Sequence, residues 1–193
     1  SAQQRSARAG KGDSGECGEG VGAAVMREYK LGELVTLNYG KSLPARDRIE
    51  GEYPVMSSAG VTGFHNEYLV EGPGVVIGRK GSIGTVYYEP RSFFPIDTCY
   101  FLTVNDPKVL VLKYAYYMLL DSNLKELNSD AAVPGLNREI AYAQTFSVPK
   151  IERQMEVVSI LDGYNDLIEN NNQRIQILET IAQKLYQEWF IHY

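Results

Sequence analysis

The sequence predicts an α+β fold, in which a globular domain on a mixed sheet is followed by a long C-terminal coiled-coil helix. Short apolar and aromatic stretches, separated by glycine and proline turn signals, fill the middle of the chain. One stretch in that region and a longer one after it repeat apolar residues at helical spacing. We therefore divide the 193 residues into an N-terminal extension (1–27), a globular domain (28–150) and a long helix (151–193).

The N-terminal extension consists mainly of Gly, Ala, Ser, Gln and charged residues and precedes the first aromatic residue, Tyr29. Such a segment cannot bury enough apolar surface to offset the entropy lost when its backbone is ordered. Met26 stands directly before the first periodic stretch. We expect the residues ahead of it to be flexible, and we assign them no function.

The strands of the globular domain are predicted from five extended stretches between turn signals such as Gly72-Pro-Gly and Asn105-Asp-Pro. Together these stretches predict a mixed sheet. The expected strands are Leu34–Leu37, Tyr68–Val70, Val75–Ile77, Gly84–Tyr88 and Cys99–Val104.

A helix is predicted from Lys108 to Leu127, where apolar residues recur at every third or fourth position. Asn105 or Asp106 is the expected N-cap. Pro107 suits the first turn because a helix does not need the missing N–H there. This helix beside the strands makes the domain α+β.

The C-terminal segment, residues 151–193, contains no proline and a single glycine, Gly163. Its apolar residues step by three and four positions, as in the seam of a coiled coil. The polar residue Asn171 on this seam would cost stability and fix the register. The predicted dimer-interface residues are Leu161, Tyr164, Ile168, Asn171, Ile175, Leu178, Leu185 and Trp189.

The apolar stripe of this helix is wider than a two-stranded seam needs. Leu167, Ile177 and Ile181 widen it, so the helix should contact a further surface besides a partner helix. One alternative is that the stripe packs back on its own domain. Such a helix spans roughly 58 Å, longer than a domain of this size is wide, which favours a partner.

Composition and charge exclude several classes of protein. The net charge of −5 argues against unselective coating of nucleic acid but allows a local DNA-reading patch. Cys17 and Cys99 cannot form a disulfide framework, and His65 and His192 give no ligand cluster at zinc spacing. No apolar run approaches the roughly 20 residues of a membrane span, and a secretory signal is missing, so we expect a cytoplasmic protein without membrane contact.

Catalytic motifs are also missing. The loop Gly78–Gly84 has the glycine spacing of a phosphate loop, but it lacks the Lys-Ser/Thr pair and precedes a strand rather than a helix. The Asn/Asp-Pro-Pro-aromatic loop that holds a flipped base in amino-methyltransferases is absent. Ser57, Ser58 and Ser82 have no assignable histidine base. We therefore predict a non-catalytic chain without metal or cofactor.

A series of short motifs follows in order along residues 29–193 and ends with a proline-led start of the long helix. The motifs begin at Tyr29 (YKLGELV), Asn38 (NYGKSLP), Tyr53 (YPVMSSAGV), Val75 (VVIGRKGSIG), Leu136 (LNREI), Phe146 (FSVPKIERQ) and Ile160 (ILDGYNDLIE). In this order they resemble one half of the DNA-specificity subunit of type I restriction-modification systems.

That resemblance implies a target-recognition domain followed by one spacer helix, where family members typically carry two of each. It implies that two copies pair through antiparallel helices and that each reads one half-site of double-stranded DNA in a bipartite target. A homodimer would read a palindromic target, whereas a different half-subunit as partner would give an asymmetric one. Methyltransferase subunits, and through them restriction and translocation subunits, are the further partners implied.

The strongest candidates for DNA contact lie in one glycine-flanked turn. Arg79 and Lys80 supply cations and Ser82 a hydroxyl, and glycine neighbours allow a close approach of backbone and duplex. A solvated surface turn is the alternative reading. Asn137 either contacts DNA or serves as the N-cap of a short helix, and the cap is slightly favoured. The full candidate set is Lys41, Ser42, Arg46, Ser57, Ser58, Arg79, Lys80, Ser82, Asn137 and Arg138.

Two rival functions remain open at this point. One is a coiled-coil scaffold or regulatory protein without affinity for DNA, which the net negative charge favours. The other is a small nucleotide-dependent enzyme built on the Gly78–Gly84 loop.

Overall fold

The computed structural model describes residues 26–127 and 135–190, which form nine strands and four α-helices. The strands are β1 (Arg27–Lys30), β2 (Val35–Tyr39), β3 (Tyr53–Ser57), β4 (Gly60–His65), β5 (Gly74–Gly78), β6 (Val86–Glu89), β7 (Phe94–Pro95), β8 (Cys99–Val104) and β9 (Thr145–Val148). The helices are α1 (Leu31–Leu34), α2 (Leu112–Leu120), α3 (Arg138–Tyr142) and α4 (Ile151–Phe190). The extension predicted at the N-terminus lies outside the described residues as far as residue 25.

The strands form three small sheets. The largest has the order β2-β8-β5-β6 and is antiparallel throughout. A second sheet, β4-β3-β7, is mixed, because β3 pairs antiparallel with β4 and parallel with β7. Strand β1 pairs antiparallel with β9. The predicted α+β class with a mixed sheet and a long C-terminal helix is therefore confirmed.

Strand β5 is buried along its whole length because it lies between β8 and β6 and is covered on both faces. Val75 and Ile77 face the main core, where α1 and α2 also contribute side chains. Val76 faces a smaller cluster that contains Met56 and Phe93. This alternation follows from the two-residue period of a strand. The sheet thus lies between two apolar clusters.

The helix predicted over Lys108–Leu127 is shorter in the structure, since α2 runs from Leu112 to Leu120. The predicted caps act elsewhere. The Asn105 side chain bonds to the hydroxyl of Thr36 and to backbone carbonyls of α1, which ties β8 to that helix. The Asp106 side chain accepts from the amide of Lys108 and closes a turn before α2. A 3₁₀ turn follows the helix at Leu124–Glu126.

Two predicted strands also differ from the structure. Tyr68–Val70 is not a strand, because Val70 makes only an isolated bridge with Phe93. The stretch predicted from Gly84 begins at Val86 instead, since Gly84 has a positive φ of 68°. A Cβ at Gly84 would lie 2.5 Å from the backbone of Leu124, so the loop approaches the 3₁₀ turn closely there.

Helix α4 is 40 residues long, or about 60 Å at 1.5 Å per residue. Its first three turns lie against α2, with Val157, Val158 and Leu161 half-buried. From Gly163 to Phe190 every residue is exposed. In the part of the chain that the structure describes, the stripe therefore does not fold back over its own domain. None of the helices in that part combines the length and apolar content that crossing a bilayer requires.

Candidate nucleic-acid interface

The turn between β5 and β6 is held by backbone hydrogen bonds to the loop before β8. The amides of Arg79 and Lys80 both donate to the carbonyl oxygen of Thr98, at 2.9 and 3.0 Å. A Cβ at Gly78 would lie 2.0 Å from the carbonyl oxygen of Ser82, so this glycine is required by the turn itself. The glycines at 78 and 84 approach other parts of the protein closely, whereas a Cβ at Gly81 would meet only the Ser58 hydroxyl, at 3.5 Å. Gly81 is thus the least crowded of the three glycines in this turn.

Arg79 is oriented by two tyrosine rings and one carbonyl group. Its guanidinium carbon lies 5.0 Å from the centre of the Tyr39 ring and 5.9 Å from that of Tyr100. Its Nη1 donates to the carbonyl oxygen of Asp97 at 3.0 Å. Burial, and then the neighbouring Tyr39, raise the pKa of Tyr100 to about 12, so this phenol stays neutral at physiological pH.

Arg138, which is far from Arg79 in the sequence, also lies beside the Tyr39 ring. Its guanidinium carbon lies 5.4 Å from the centre of the Tyr39 ring and 5.9 Å from that of Tyr142. The Nε atom is buried and lacks a hydrogen-bond partner among the described residues, with Glu139 Oε1 3.9 Å away. We call Tyr39, Arg79, Tyr100 and Arg138 the arginine–tyrosine cluster.

The backbone of Leu136 brings the two arginines together. Its amide donates to the carbonyl oxygen of Arg79 at 2.9 Å, and its carbonyl oxygen accepts from the hydroxyl of Tyr100 at 3.2 Å. Asn137 then starts α3, because its Oδ1 accepts from the amides of Glu139 and Ile140. The favoured reading of Asn137 as an N-cap is therefore confirmed, and the cap places Arg138 at the first position of the helix.

The predicted serines occupy different environments. Ser57 is buried, and its hydroxyl donates to the carbonyl oxygen of Gly60 within the β3–β4 turn. Ser58 is also buried, and its carbonyl oxygen accepts from the hydroxyl of Thr85 at 2.7 Å. This bond joins the β3–β4 turn to the turn that carries Arg79. Ser82 is exposed next to Gly81.

The loop of residues 40–52 carries Lys41, Ser42 and Arg46, is mostly exposed and starts beside the cluster. A Cβ at Gly40 would lie 2.2 Å from the carbonyl oxygen of Ile96. The amide of Lys41 donates to the carbonyl oxygen of Pro95. Lys41, Ser42 and Arg46 are exposed, and Arg46 Nε lies 3.6 Å from Asp47 Oδ1. The structure therefore gives these three side chains no fixed geometry toward the cluster.

The cations at this face lie near two carboxylates, those of Asp97 and Glu139. Lys80 is exposed, and its Nζ lies 4.0 Å from Oδ2 of Asp97. That separation in solvent gives a weak ion pair, which leaves the ammonium available to another anion. The residue that sequence reasoning missed is Tyr39, the exposed end of β2. Its only signal was an aromatic residue directly before Gly40-Lys41.

The groups that could support catalysis have structural roles. His65 is buried in β4, where Nδ1 accepts from the amide of Ile49 and the ring edge faces Phe94. Cys99 is buried, and burial raises the pKa of its thiol to about 12. Among the described residues, no three His, Cys, Asp or Glu side chains form a group that could hold a metal ion.

The dimer-interface residues predicted from the seam all lie on α4. Leu161 is half-buried against the domain, whereas Tyr164, Ile168, Ile175, Leu178, Leu185 and Trp189 are between 52% and 73% exposed. Asn171 lies among them and is also exposed. An uncovered apolar stripe of this length on a helix is typical of a helix that has a partner.

The family model for the type I restriction modification DNA specificity domain matches residues 25–180. The chain belongs to this family. It is 26% identical over 159 residues to the type I restriction enzyme EcoprrI specificity subunit of Escherichia coli, a match over 79% of the chain and 39% of that relative. It is 30% identical over 88 residues to the MjaIX specificity subunit of Methanocaldococcus jannaschii, a match over 44% of the chain and 20% of that relative.

The fold of this specificity-family chain also matches a solved structure. The type I restriction-modification S subunit from M. genitalium superposes with a TM-score of 0.74 at 19% identity, over 88% of this chain and 46% of that one. The chain spans less than half the length of these relatives. The prediction that it is not an enzyme agrees with its family, whose specificity subunits are non-catalytic components of the restriction enzyme complex.

Proposed function

We propose that this chain is a DNA-recognition and assembly component of a type I restriction-modification complex and that it reads one half-site. The observation that carries the proposal is the convergence of Arg79 and Arg138 on Tyr39, at 5.0 and 5.4 Å, beside the exposed Lys80. An exposed aromatic residue with two guanidinium groups and an ammonium gives an acidic domain a local cationic face.

The chemistry of the two arginines suits base and phosphate contacts. A guanidinium presents a planar fork of donors that pairs with guanine O6 and N7 or with phosphate oxygens. Arg79 already spends one donor on Asp97, which fixes its orientation and leaves others free for a ligand. Lys80 and Ser82 on the same turn supply contacts to the phosphates, which position the protein on the duplex.

We also propose that two copies pair through the exposed stripe of α4 in an antiparallel arrangement. Residues 151–170 carry five acidic and one basic side chain, whereas residues 171–190 carry two of each. A parallel pair would bring the two acidic halves together. An antiparallel pair places each acidic half beside a neutral one, which lowers the repulsion.

In such a dimer the paired helices separate two recognition domains, so the target consists of two half-sites at a fixed distance. A dimer of identical chains recognises a palindromic target because its two half-sites are related by the same twofold axis. Methyltransferase subunits, and through them the restriction and translocation subunits, are the proposed further partners. The additional width of the stripe at Leu167, Ile177 and Ile181 offers them surface.

The test starts from the target, obtained by sequencing methylated adenines in a host that carries the system. Binding of the chain with its methyltransferase to that duplex is then titrated with salt. We expect log K to fall with log salt at a slope of about 0.9 per neutralised phosphate. Absence of salt-dependent duplex binding would instead support the scaffold alternative.

Single substitutions locate the interface. Arg79→Ala and Arg138→Ala should each weaken binding about tenfold, the size of one lost bidentate contact. Lys80→Ala should lower the salt slope by about one phosphate contact. Lys184→Ala, which removes a cation from α4 outside the seam, is the matched control and should leave binding unchanged. Equal losses in all four variants would contradict this placement of the interface.

A further inference from the structure

Gln154 anchors the first turn of α4 to the domain. Its side chain is completely buried and forms three hydrogen bonds with backbone groups. Oε1 accepts from the amide of Val111 at 2.9 Å, and Nε2 donates to the carbonyl oxygens of Val109 and Pro149 at 2.8 Å each. These partners lie directly before α2 and directly before α4, so one amide group joins the starts of both helices.

Asp162 forms a second anchor two turns further along. Its Oδ2 lies 2.7 Å from Nζ of Lys113, and its Oδ1 accepts from the hydroxyl of Tyr117 at 2.6 Å. The amide of Asn165 donates to the same hydroxyl at 2.8 Å. Gln154 and Asp162 are eight residues apart, about 12 Å along the helix. Two separated anchors fix the direction of α4 relative to the domain, whereas a single anchor would let the helix tilt about it.

The second anchor is continuous with the sheet that carries the arginine–tyrosine cluster. Nζ of Lys113 lies 5.0 Å from the centre of the Tyr88 ring, and Tyr88 lies on β6. The Tyr116 ring lies between those of Tyr88 and Tyr117, at 5.8 and 5.0 Å. Strand β6 pairs with β5, which ends at Gly78 directly before Arg79. Contacts therefore run without a gap from α4 to the candidate interface.

Close apolar packing does not hold the helix in place on its own. An open groove of 590 Å³ lies beside the contact between α2, β9 and α4, and Met118, Phe146, Val157 and Leu161 line it. From Gly163 onward every residue of α4 is exposed, and the Asn165 side chain still reaches the Tyr117 hydroxyl. The directional bonds of Gln154 and Asp162 therefore add to this packing and oppose a tilt of the helix.

We propose that Asp162, Lys113 and Tyr117 act with Gln154 as positioning residues that set the direction of α4 relative to the recognition face and so select the spacer between half-sites. The DNA consequence rests on the proposed function, but the geometric part does not. From Asp162 to Phe190 the helix extends about 42 Å, so a tilt of 10° moves its end by about 7 Å. At roughly 3.4 Å per base pair, this displacement equals about two base pairs.

Distance measurements within one chain test the geometric part. Spin labels are attached at Glu71→Cys on the domain and Gln183→Cys on α4, in a chain that also carries Cys17→Ser. Cys99 is completely buried and should not be labelled. An excess of unlabelled chain ensures that each measured pair lies within one protomer.

Asp162→Ala and Tyr117→Phe should each broaden or shift the distance distribution by about 5 Å, the displacement of position 183 for a 10° tilt. Glu179→Ala, which removes a carboxylate from the exposed part of α4, should match the wild type. Unfolding curves of the variants show whether the domain is intact. An unchanged distribution in both Asp162→Ala and Tyr117→Phe would overturn the proposal.

Spacer preference tests the DNA part. The chain with its methyltransferase is bound to duplexes that carry both half-sites, with spacers one or two base pairs shorter or longer than the natural one. The wild type should prefer one spacer at least tenfold. Asp162→Ala and Tyr117→Phe should lose most of that preference while a single half-site binds equally well. A retained preference would overturn the proposal. If the wild type shows no preference, the proposed bipartite reading is wrong, and the distance measurement still decides the geometry.

Discussion

The amide of Leu136 donates a hydrogen bond of 2.9 Å to the carbonyl oxygen of Arg79. This bond joins the turn after β5 to the segment that leads into α3, and it places Arg138 near the ring that Arg79 already faces. Two arginines far apart in the sequence thereby share one tyrosine. The proposed DNA-reading surface depends on this tertiary link.

Replacement of the shared ring should weaken DNA binding without unfolding the domain. Tyr39 is 51% exposed, so Tyr39→Leu removes little buried area. It abolishes two cation–π contacts, each worth about 0.5–1 kcal/mol at exposed sites, and leaves the arginines less ordered. We expect about a fivefold loss of affinity in a binding isotherm. Tyr39→Phe keeps an aromatic face and should bind normally; an equal loss in Phe and Leu variants would contradict the role of the ring.

Introduction of a charge into the seam should separate the proposed dimer. Ile175→Asp places a carboxylate in the middle of the apolar stripe, at a cost of several kcal/mol in a dry interface. Sedimentation analysis should show monomers at concentrations where the wild type is dimeric. Gln176→Asp adds the same charge one position outside the seam and should remain dimeric. A dimer that survives Ile175→Asp would show that the pairing surface lies elsewhere.

The loss of the Gln154 side chain should destabilise the domain strongly. Gln154→Ala leaves the amide of Val111 and the carbonyl oxygens of Val109 and Pro149 without their partner. Each buried group that loses its hydrogen bond costs about 1–3 kcal/mol, so we expect a loss of at least about 3 kcal/mol in urea unfolding. The exposed neighbour substitution Arg153→Ala should change stability by less than about 0.5 kcal/mol. A small effect of Gln154→Ala would mean that water replaces the amide.

The anchor at Asp162 should respond to acid. Burial opposes ionisation of this carboxyl, but hydrogen bonds from Lys113 and Tyr117 outweigh it and hold its pKa below the usual value of 3.8. The same contact raises the pKa of Lys113, through the hydrogen bond to Asp162 and with smaller contributions from Tyr88 and Asp166. Both groups are therefore charged throughout the neutral range.

A carboxyl whose pKa is depressed on folding stabilises the protein above its unfolded pKa, and this stabilisation disappears as the pH falls through the folded pKa. The difference in unfolding free energy between wild type and Asp162→Asn should therefore be constant from pH 6 to 8 and shrink below about pH 4. Glu179→Gln, which neutralises a carboxylate on the exposed part of α4, provides the comparison. A difference that persists unchanged in acid would assign the effect to shape rather than charge.

Local patterns predicted the parts of the fold that local physics determines. The extended stretches predicted at β5 and β8 and the long run of helical spacing in α4 all appear in the structure. The end of α2 at Leu120 was not predictable in this way, since the following residues are held by a 3₁₀ turn that meets Gly84 from another part of the chain. Strand β1 was missed because it is only four residues long and mainly polar, and because its pairing partner, β9, is distant in the sequence.

In the candidate site, too, local features were predictable from the sequence and tertiary contacts were not. Arg79, Lys80 and Arg138 were identified as cations near turn signals, and Asn137 as a cap, because both signals are local. That Tyr39 lies between the two arginines depends on contacts among β2, the β5–β6 turn and α3. Sequence patterns likewise could not show that Ser57 and Ser58 are buried and that the Ser57 hydroxyl donates to the carbonyl oxygen of Gly60.

The pairing of β1 with β9 sets Arg27 opposite Val148, at the two limits of the globular part. Chain entry and exit therefore lie side by side, next to the start of α4. The domain between β1 and β9 can therefore be exchanged as a unit, while α4 stays unchanged. Exchange of the residues between these two strands should transfer the proposed preference for bases. The proposed distance between half-sites should be retained, because α4 is unchanged.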